Sequence, residues 1–182
     1  ERFVKAGNIV FDIGAHVGFY SLLGAEIVGV TGRVYAFEPL PRNFSYLKKH
    51  IQLNGYRNII PIEAAVSKSG GRAFFSETEE NSSTGRIVEQ GDFEVTVMSL
   101  DEESINGGLP RPNILKIDVE GNELAVLEGS QKMIRHARPL IFLSTHSNEA
   151  HQKCSNFLEE LVYKLQNLNT ADFIAIPDKI KI

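Results

Sequence analysis

Apolar residues first gather at Ile9, Val10, Phe11 and Ile13, a run broken only by Asp12, which reads as a strand buried on both faces of a sheet. Residues 19–28 lack a strong polar face and predict a helix packed on that sheet, with Gly29 and Gly32 bracketing the next turn. Residues 33–38 form a second apolar strand. Pro41 opens another helix in its first turn, Phe44, Leu47 and Ile51 make its core stripe, and Asn54-Gly55 ends it. Residues 59–66 are a third strand. Strand, helix, strand, helix, strand in this order predicts right-handed crossovers and a parallel sheet.

The pattern then changes. Residues 72–78 and 93–100 carry strand-like residues with no helix between them, which predicts an antiparallel pair. A polar loop around residues 81–91 would join them as a candidate lid, with Asn81, Ser82 and Ser83 read as solvated in preference to substrate-binding. Residues 113–118 are a fourth parallel strand, followed by a helix with Leu124, Leu127 and Ile134 inward. Residues 140–145 are a fifth. A long helix carries Ala150, Cys154, Phe157, Leu158 and Leu161 on one face, and short strands near 162–165 and 173–176 close the sheet.

A chain of 182 residues suits one domain with one substantial core, and the start at Glu1 leaves room for residues upstream. The net charge of -4 argues against nonspecific nucleic-acid binding, which relies on clustered Lys and Arg. The single cysteine excludes an internal disulfide, and no apolar run approaches the roughly 20 residues needed to span a bilayer, so a cytoplasmic location is expected.

Chemistry concentrates at the first turn, Asp12-Ile-Gly14-Ala15-His16-Val17-Gly18. Strand, glycine turn and helix together build a nucleotide-type cofactor site, with free amides at the helix start. The middle glycine of a dinucleotide fingerprint is missing, and Asp12 is a poor neighbour for a diphosphate but a good one for a cation. S-adenosyl-L-methionine, with an ammonium and a sulfonium, is such a ligand. Glu38 ends the second strand about twenty residues on, where a carboxylate accepts hydrogen bonds from ribose hydroxyls. A nicotinamide dehydrogenase would share Glu38 but not this turn.

VFDIGAHVGFYS, AFEPLPRNF and LKIDVEGNELAVLEG, with strand-like residues between the third and fourth strands, resemble the FkbM family of S-adenosylmethionine-dependent methyltransferases over nearly the whole chain. The most specific piece is Lys116-Ile-Asp118-Val-Glu120-Gly121 with Glu123 beyond. The resemblance implies an α/β, Rossmann-like class I methyltransferase fold. That fold is a mainly parallel seven-stranded sheet of order 3-2-1-4-5-7-6, strand 7 antiparallel, with a β-hairpin inserted between strands 3 and 4. It also implies that Asp12, Gly14, Ala15 and Gly18 surround the methionine part of the cofactor. By the same likeness Glu38 clamps the ribose with Pro39 beside the adenine, and Glu63, Ala64 and Ala65 line the adenine pocket.

Methyl transfer is an in-line displacement in which one base suffices. Asp118, Glu120 and His146 sit where open α/β sheets bind ligands, at the carboxyl ends of strands. His146 is the leading base because its ordinary pKa of about 6.5 lets it accept a proton near neutrality. Glu120 orients substrate or caps a helix, and Asp118 meets cofactor or acceptor. Lys116 must have its charge paired if its strand is covered on both faces. No metal is expected, for want of a third ligand at diagnostic spacing. The expected function is O-methylation of a small-molecule or glycan hydroxyl. N-methylation of an amine, peptide or RNA, or a cofactor-binding module without catalysis, are the alternatives. Acceptor identity and oligomeric state stay open.

Overall fold

The computed structural model describes residues 3–78, 81–88 and 93–178. In chain order they form β1 (Ile9–Ile13), α1 (Phe19–Val28), β2 (Arg33–Phe37), α2 (Pro41–Asn54), β3 (Ile59–Ile62), β4 (Ala65–Val66), β5 (Gly71–Thr78), β6 (Asn81–Val88), β7 (Phe93–Met98) and α3 (Leu100–Ile105). Then follow β8 (Ile114–Ile117), α4 (Glu123–Glu128), α5 (Gln131–Ala137), β9 (Leu140–Ser144), α6 (Asn148–Glu160), β10 (Tyr163–Asn167) and β11 (Asp172–Pro177).

The main sheet has the order β10-β11-β9-β8-β1-β2-β3. Only β11 runs antiparallel to its neighbours. Counted along this sheet alone, that is the expected 3-2-1-4-5-7-6. Two-residue alternation splits the core between its faces. Phe11, Ile13, Leu115 and Ile117 pack with Leu127, Ile134, Cys154 and Leu158. Val10, Val34, Ala36 and Ile114 pack with Ala25, Val28 and Leu47 on the opposite face. Each fully buried chain such as Phe11 or Leu115 contributes about 1.5–3 kcal/mol. Among the described residues, no helix is long and apolar enough to cross a membrane.

Four features depart from the sequence pattern. The third strand is two: β3 ends at Ile62, and β4 joins a second sheet of order β4-β7-β5-β6. The insertion is therefore more than a hairpin. Residues 72–78 and 93–98 do pair antiparallel, but Asn81–Val88 is a strand on the far side of β5 and not a loop. Asn81, Ser82 and Ser83 lie on it, and residues 89–92 fall outside the described residues. The helix after β8 is also two, α4 and α5. A side chain at Gly129 would put its Cβ 2.1 Å from the Ser67 carbonyl oxygen, so the chain breaks step where another backbone passes. The short α3, capped by the Ser99 hydroxyl accepting from the Glu102 amide, has no counterpart in the sequence reading.

Candidate functional site

At the carboxyl end of β1, the amides of Gly14 and Ala15 both donate to the Phe37 carbonyl, at 3.1 and 2.9 Å. The turn is thus tied to the end of β2. Gly14 has φ +77°, and a Cβ there would lie 1.9 Å from the Asp118 carbonyl oxygen. Its missing side chain makes room for the loop after β8, not for a ligand alone. Gly18 likewise leaves space for Leu47 of α2, whose Cδ1 would stand 2.7 Å from an added Cβ. Gly14→Ala is therefore expected to cost at least about 2 kcal/mol, through left-handed strain and overpacking. Urea unfolding checks this, and a loss below about 0.5 kcal/mol would contradict the close approach.

A cavity of about 310 Å³ opens beside this turn. Gly14, Ala15, His16, Glu38, Pro39, Leu40, Ala64, Ala65, Asp118 and Glu120 are among its walls. Glu38 is 4% exposed. Its Oε2 accepts from the His16 amide at 2.8 Å, and its Oε1 accepts from the Leu40 amide at 3.0 Å and from Asn43 Nδ2 at 3.4 Å. One carboxylate thus staples the glycine turn to the start of α2. Burial pushes the Glu38 carboxyl above the ordinary range, against the pull of those bonds. His16, at φ +53°, serves through its backbone as well as lining the cavity. His50 holds the same turn from α2, with Nδ1 2.7 Å from the Val17 carbonyl oxygen.

Several expected contacts differ. Glu63 is exposed and lies off the cavity wall, because the Ala64 amide closes a tight turn on the Ile62 carbonyl and swings position 63 outward. Gly18 also lies off the wall, at the N-cap of α1. In contrast Phe75, from the inserted sheet, and Asn43 and Asn122 face the cavity without having been singled out in the sequence.

Asp12 shares a sheet face with Val10 and so points beneath α1. It is 1% exposed and accepts from the Ser21 hydroxyl at 2.6 Å. Lys116, on the adjacent β8, places Nζ 3.0 Å from Asp12 Oδ1. Among the described residues that oxygen has no hydrogen-bond partner, so the Lys116 charge holds it. Lys116 Nζ also donates to the Gly14 carbonyl at 2.9 Å and lies 3.7 Å from Asp118 Oδ2. The lysine therefore has the paired role its buried setting demands. Asp12, expected to meet a ligand cation, meets the cation of Lys116 instead. It reaches a second cavity of about 340 Å³ on the α1 side, separated from the first by the shared residues Tyr20, Lys116 and Asp118.

His146 is held between two anchored neighbours. Thr145 donates both its amide and its hydroxyl to the Ala171 carbonyl, at 3.0 and 2.8 Å, and the Ser147 hydroxyl caps α6 by accepting from the Ala150 amide at 3.0 Å. The ring's Nδ1 lies 2.6 Å from Glu123 Oε1. Its Nε2 stands 3.5 Å from Asp118 Oδ1 and 3.5 Å from Glu120 Oε2. All three candidates thus meet at one point beside the first cavity. The Glu123 hydrogen bond raises the His146 pKa above its usual value, against partial burial, and the charges of Glu120, Glu123 and Asp118 raise it further. Burial raises the Glu123 carboxyl, but bonds from His146 and nearby amides outweigh it and leave the group below the carboxylate range. Among the described residues, no cluster is arranged to hold a metal ion.

Such a sheet order, with a cofactor-sized cavity at the carboxyl ends of β1 and β2, defines a Rossmann-like class I methyltransferase architecture. Residues 12–165 match the model of the methyltransferase FkbM domain, and the chain belongs to that family. It is 27% identical over 154 residues to hexuronic acid methyltransferase AglP of Haloferax volcanii, covering 84% of this chain and 62% of that protein. The crystal structure of methyltransferase FkbM from Methylobacillus flagellatus superposes with a TM-score of 0.68 at 20% identity, covering 92% of this chain and 43% of that one. Aeropyrum pernix fibrillarin, solved with bound S-adenosyl-L-methionine, shares the fold at a TM-score of 0.58 and 16% identity, covering 95% of this chain and 67% of that one. The chain thus spans less than two thirds of AglP and under half of the Methylobacillus protein.

Proposed function

We propose that this chain transfers a methyl group from S-adenosyl-L-methionine to a hydroxyl of a sugar, glycan or other small molecule. The observation that carries the reading is an adjacency. The cavity walled by Gly14, Ala15 and Glu38 runs directly into Asp118 and Glu120, which flank Nε2 of His146 at 3.5 Å. The residues suit the cofactor: an acceptor-only carboxylate at Glu38 matches ribose hydroxyls, and Leu40, Ala64, Val66 and Phe75 give an apolar wall for a flat heterocycle. When bound, S-adenosyl-L-methionine supplies a methyl carbon already activated by its sulfonium. The chain's own task is then to hold an acceptor oxygen in line and give its proton somewhere to go. His146 Nε2 is the group assigned to that proton. A sugar acceptor accords with the relative AglP, named for hexuronic acid.

Amine methylation is the second reading, favoured by the carboxylates of Asp118 and Glu120, which would attract an ammonium. Calorimetry with S-adenosylhomocysteine is expected to show binding with a Kd in the micromolar range, about -8 kcal/mol, and weakened binding in Glu38→Ala. Folded protein that binds no S-adenosylhomocysteine at millimolar concentration would overturn the proposal.

A further inference from the structure

The methyl-transfer reading leaves Glu123 without a task, and its surroundings are unusual. It is fully buried in the first turn of α4, where charged residues are almost never found unpaired. Its Oε1 accepts from the Gly121 amide at 2.8 Å and faces His146 Nδ1 at 2.6 Å, while Oε2 has no hydrogen-bond partner among the described residues. A helix cap alone does not account for this. Capping a six-residue helix is done as well by an exposed Glu or a neutral Gln, without the cost of several kcal/mol for desolvating a carboxylate.

We propose that Glu123 is the positioning residue of the transfer site: it holds the Nδ1 edge of His146 from behind, so that Nε2 is the nitrogen presented to the acceptor. The inference rests on the assignment of His146 as base. With Nδ1–H donated to Oε1, the neutral ring has its lone pair on Nε2, facing the cleft. The acceptor's O–H bond breaks as an N–H bond forms at Nε2. The imidazolium so formed lies between Glu123 on one edge and Asp118 and Glu120 on the other, and it returns the proton to water when the product leaves. At 3.5 Å neither Asp118 nor Glu120 makes a short bond to Nε2, so the nitrogen stays available. Glu120 reaches its place only by adopting φ +48°, a left-handed conformation costly for a residue with a side chain.

The charged groups around the ring come from every neighbouring element: Glu123 from α4, Asp118 and Glu120 from the loop after β8, Lys116 from β8 beside Asp118, and Asp172 from β11. His151 of α6 contacts the adjoining Thr145 hydroxyl at 3.1 Å. Of these only Glu123 makes a short contact to the ring, and only Glu123 touches Nδ1.

Nitrogen-15 NMR of His146 in the full chain tests the proposal without needing an acceptor. In the wild type the neutral ring is expected as the Nδ1–H tautomer, and its titration midpoint is expected to fall in Glu123→Gln. Glu123→Asp, which keeps the charge, is expected to retain most of the wild-type midpoint. A wild-type ring protonated on Nε2, or a midpoint unchanged in Glu123→Gln, overturns it, and the first of these is read even where the variant does not fold. Because tautomer and midpoint are measured apart from turnover, a failure of Glu123 to position the ring is distinguishable from a failure of His146 to act as base.

Discussion

Replacing Lys116 with methionine is expected to cost the folded state about 3–5 kcal/mol, the loss found when one partner of a buried ion pair is removed. The reason is Asp12. Its carboxylate lies 1% exposed under α1, and among the described residues the cation beside it is Nζ of Lys116 at 3.0 Å; the Ser21 hydroxyl holds the other oxygen. Methionine fills a similar volume but leaves that charge unpaired, and it also releases the Gly14 carbonyl that Nζ holds at 2.9 Å. The glycine turn would loosen, so cofactor affinity should fall together with stability. Adding Asp12→Asn to Lys116→Met should recover most of the lost stability, because no charge is then stranded. Urea unfolding of the two single variants and the double variant gives the coupling. A Lys116→Met loss below about 1 kcal/mol, or a double variant no better than the single, would show that the pair does not hold the turn.

That pair also marks where the sequence misleads. The strands of the main sheet were legible because β1, β2, β8 and β9 are short apolar runs between turn residues, and their order followed from the resemblance. Asp12 was legible as important but not as to its partner. Alternation would have placed it with Val10, under the helix that carries Ser21, and aligned it with Lys116 across a parallel register. The glycine turn reads as part of a cofactor site, yet Gly14 and Gly18 clear the way for Asp118 and Leu47, contacts between residues far apart in sequence that no local pattern carries. The strand β6 escaped because Asn81-Ser-Ser-Thr-Gly85 lacks apolar alternation; its pairing comes from β5. Glu123 follows the Lys116–Gly121 motif, but nothing in a first-turn glutamate tells burial from exposure. Only the fold brings it to His146, 23 residues later.

His146→Ala should lower kcat for a hydroxyl acceptor by about 10²- to 10⁴-fold, the range removed with a general base, while the affinity for S-adenosylhomocysteine stays near wild type. The split follows from geometry, since His146 lies beyond Asp118 and Glu120 and not among the walls of the cofactor cavity. The sign of the pH dependence is set by the same contacts. His146 must be neutral to accept a proton, and Glu123, Glu120 and Asp118 raise its pKa above about 6.5, so turnover of the wild type should climb as pH passes through that raised value. The stabilising charge pair with Glu123 runs the opposite way: it is complete below the unfolded value of about 6.5 and is lost as pH rises through the folded one. Activity is thus gained where the histidine–glutamate pair weakens, a trade that His146→Ala removes from both curves. Radiolabelled methyl transfer to free hexuronic acids and their methyl glycosides, measured from pH 6 to 9 beside urea unfolding over the same range, reads both. Turnover of the variant within about tenfold of wild type at every pH would take the base role from His146.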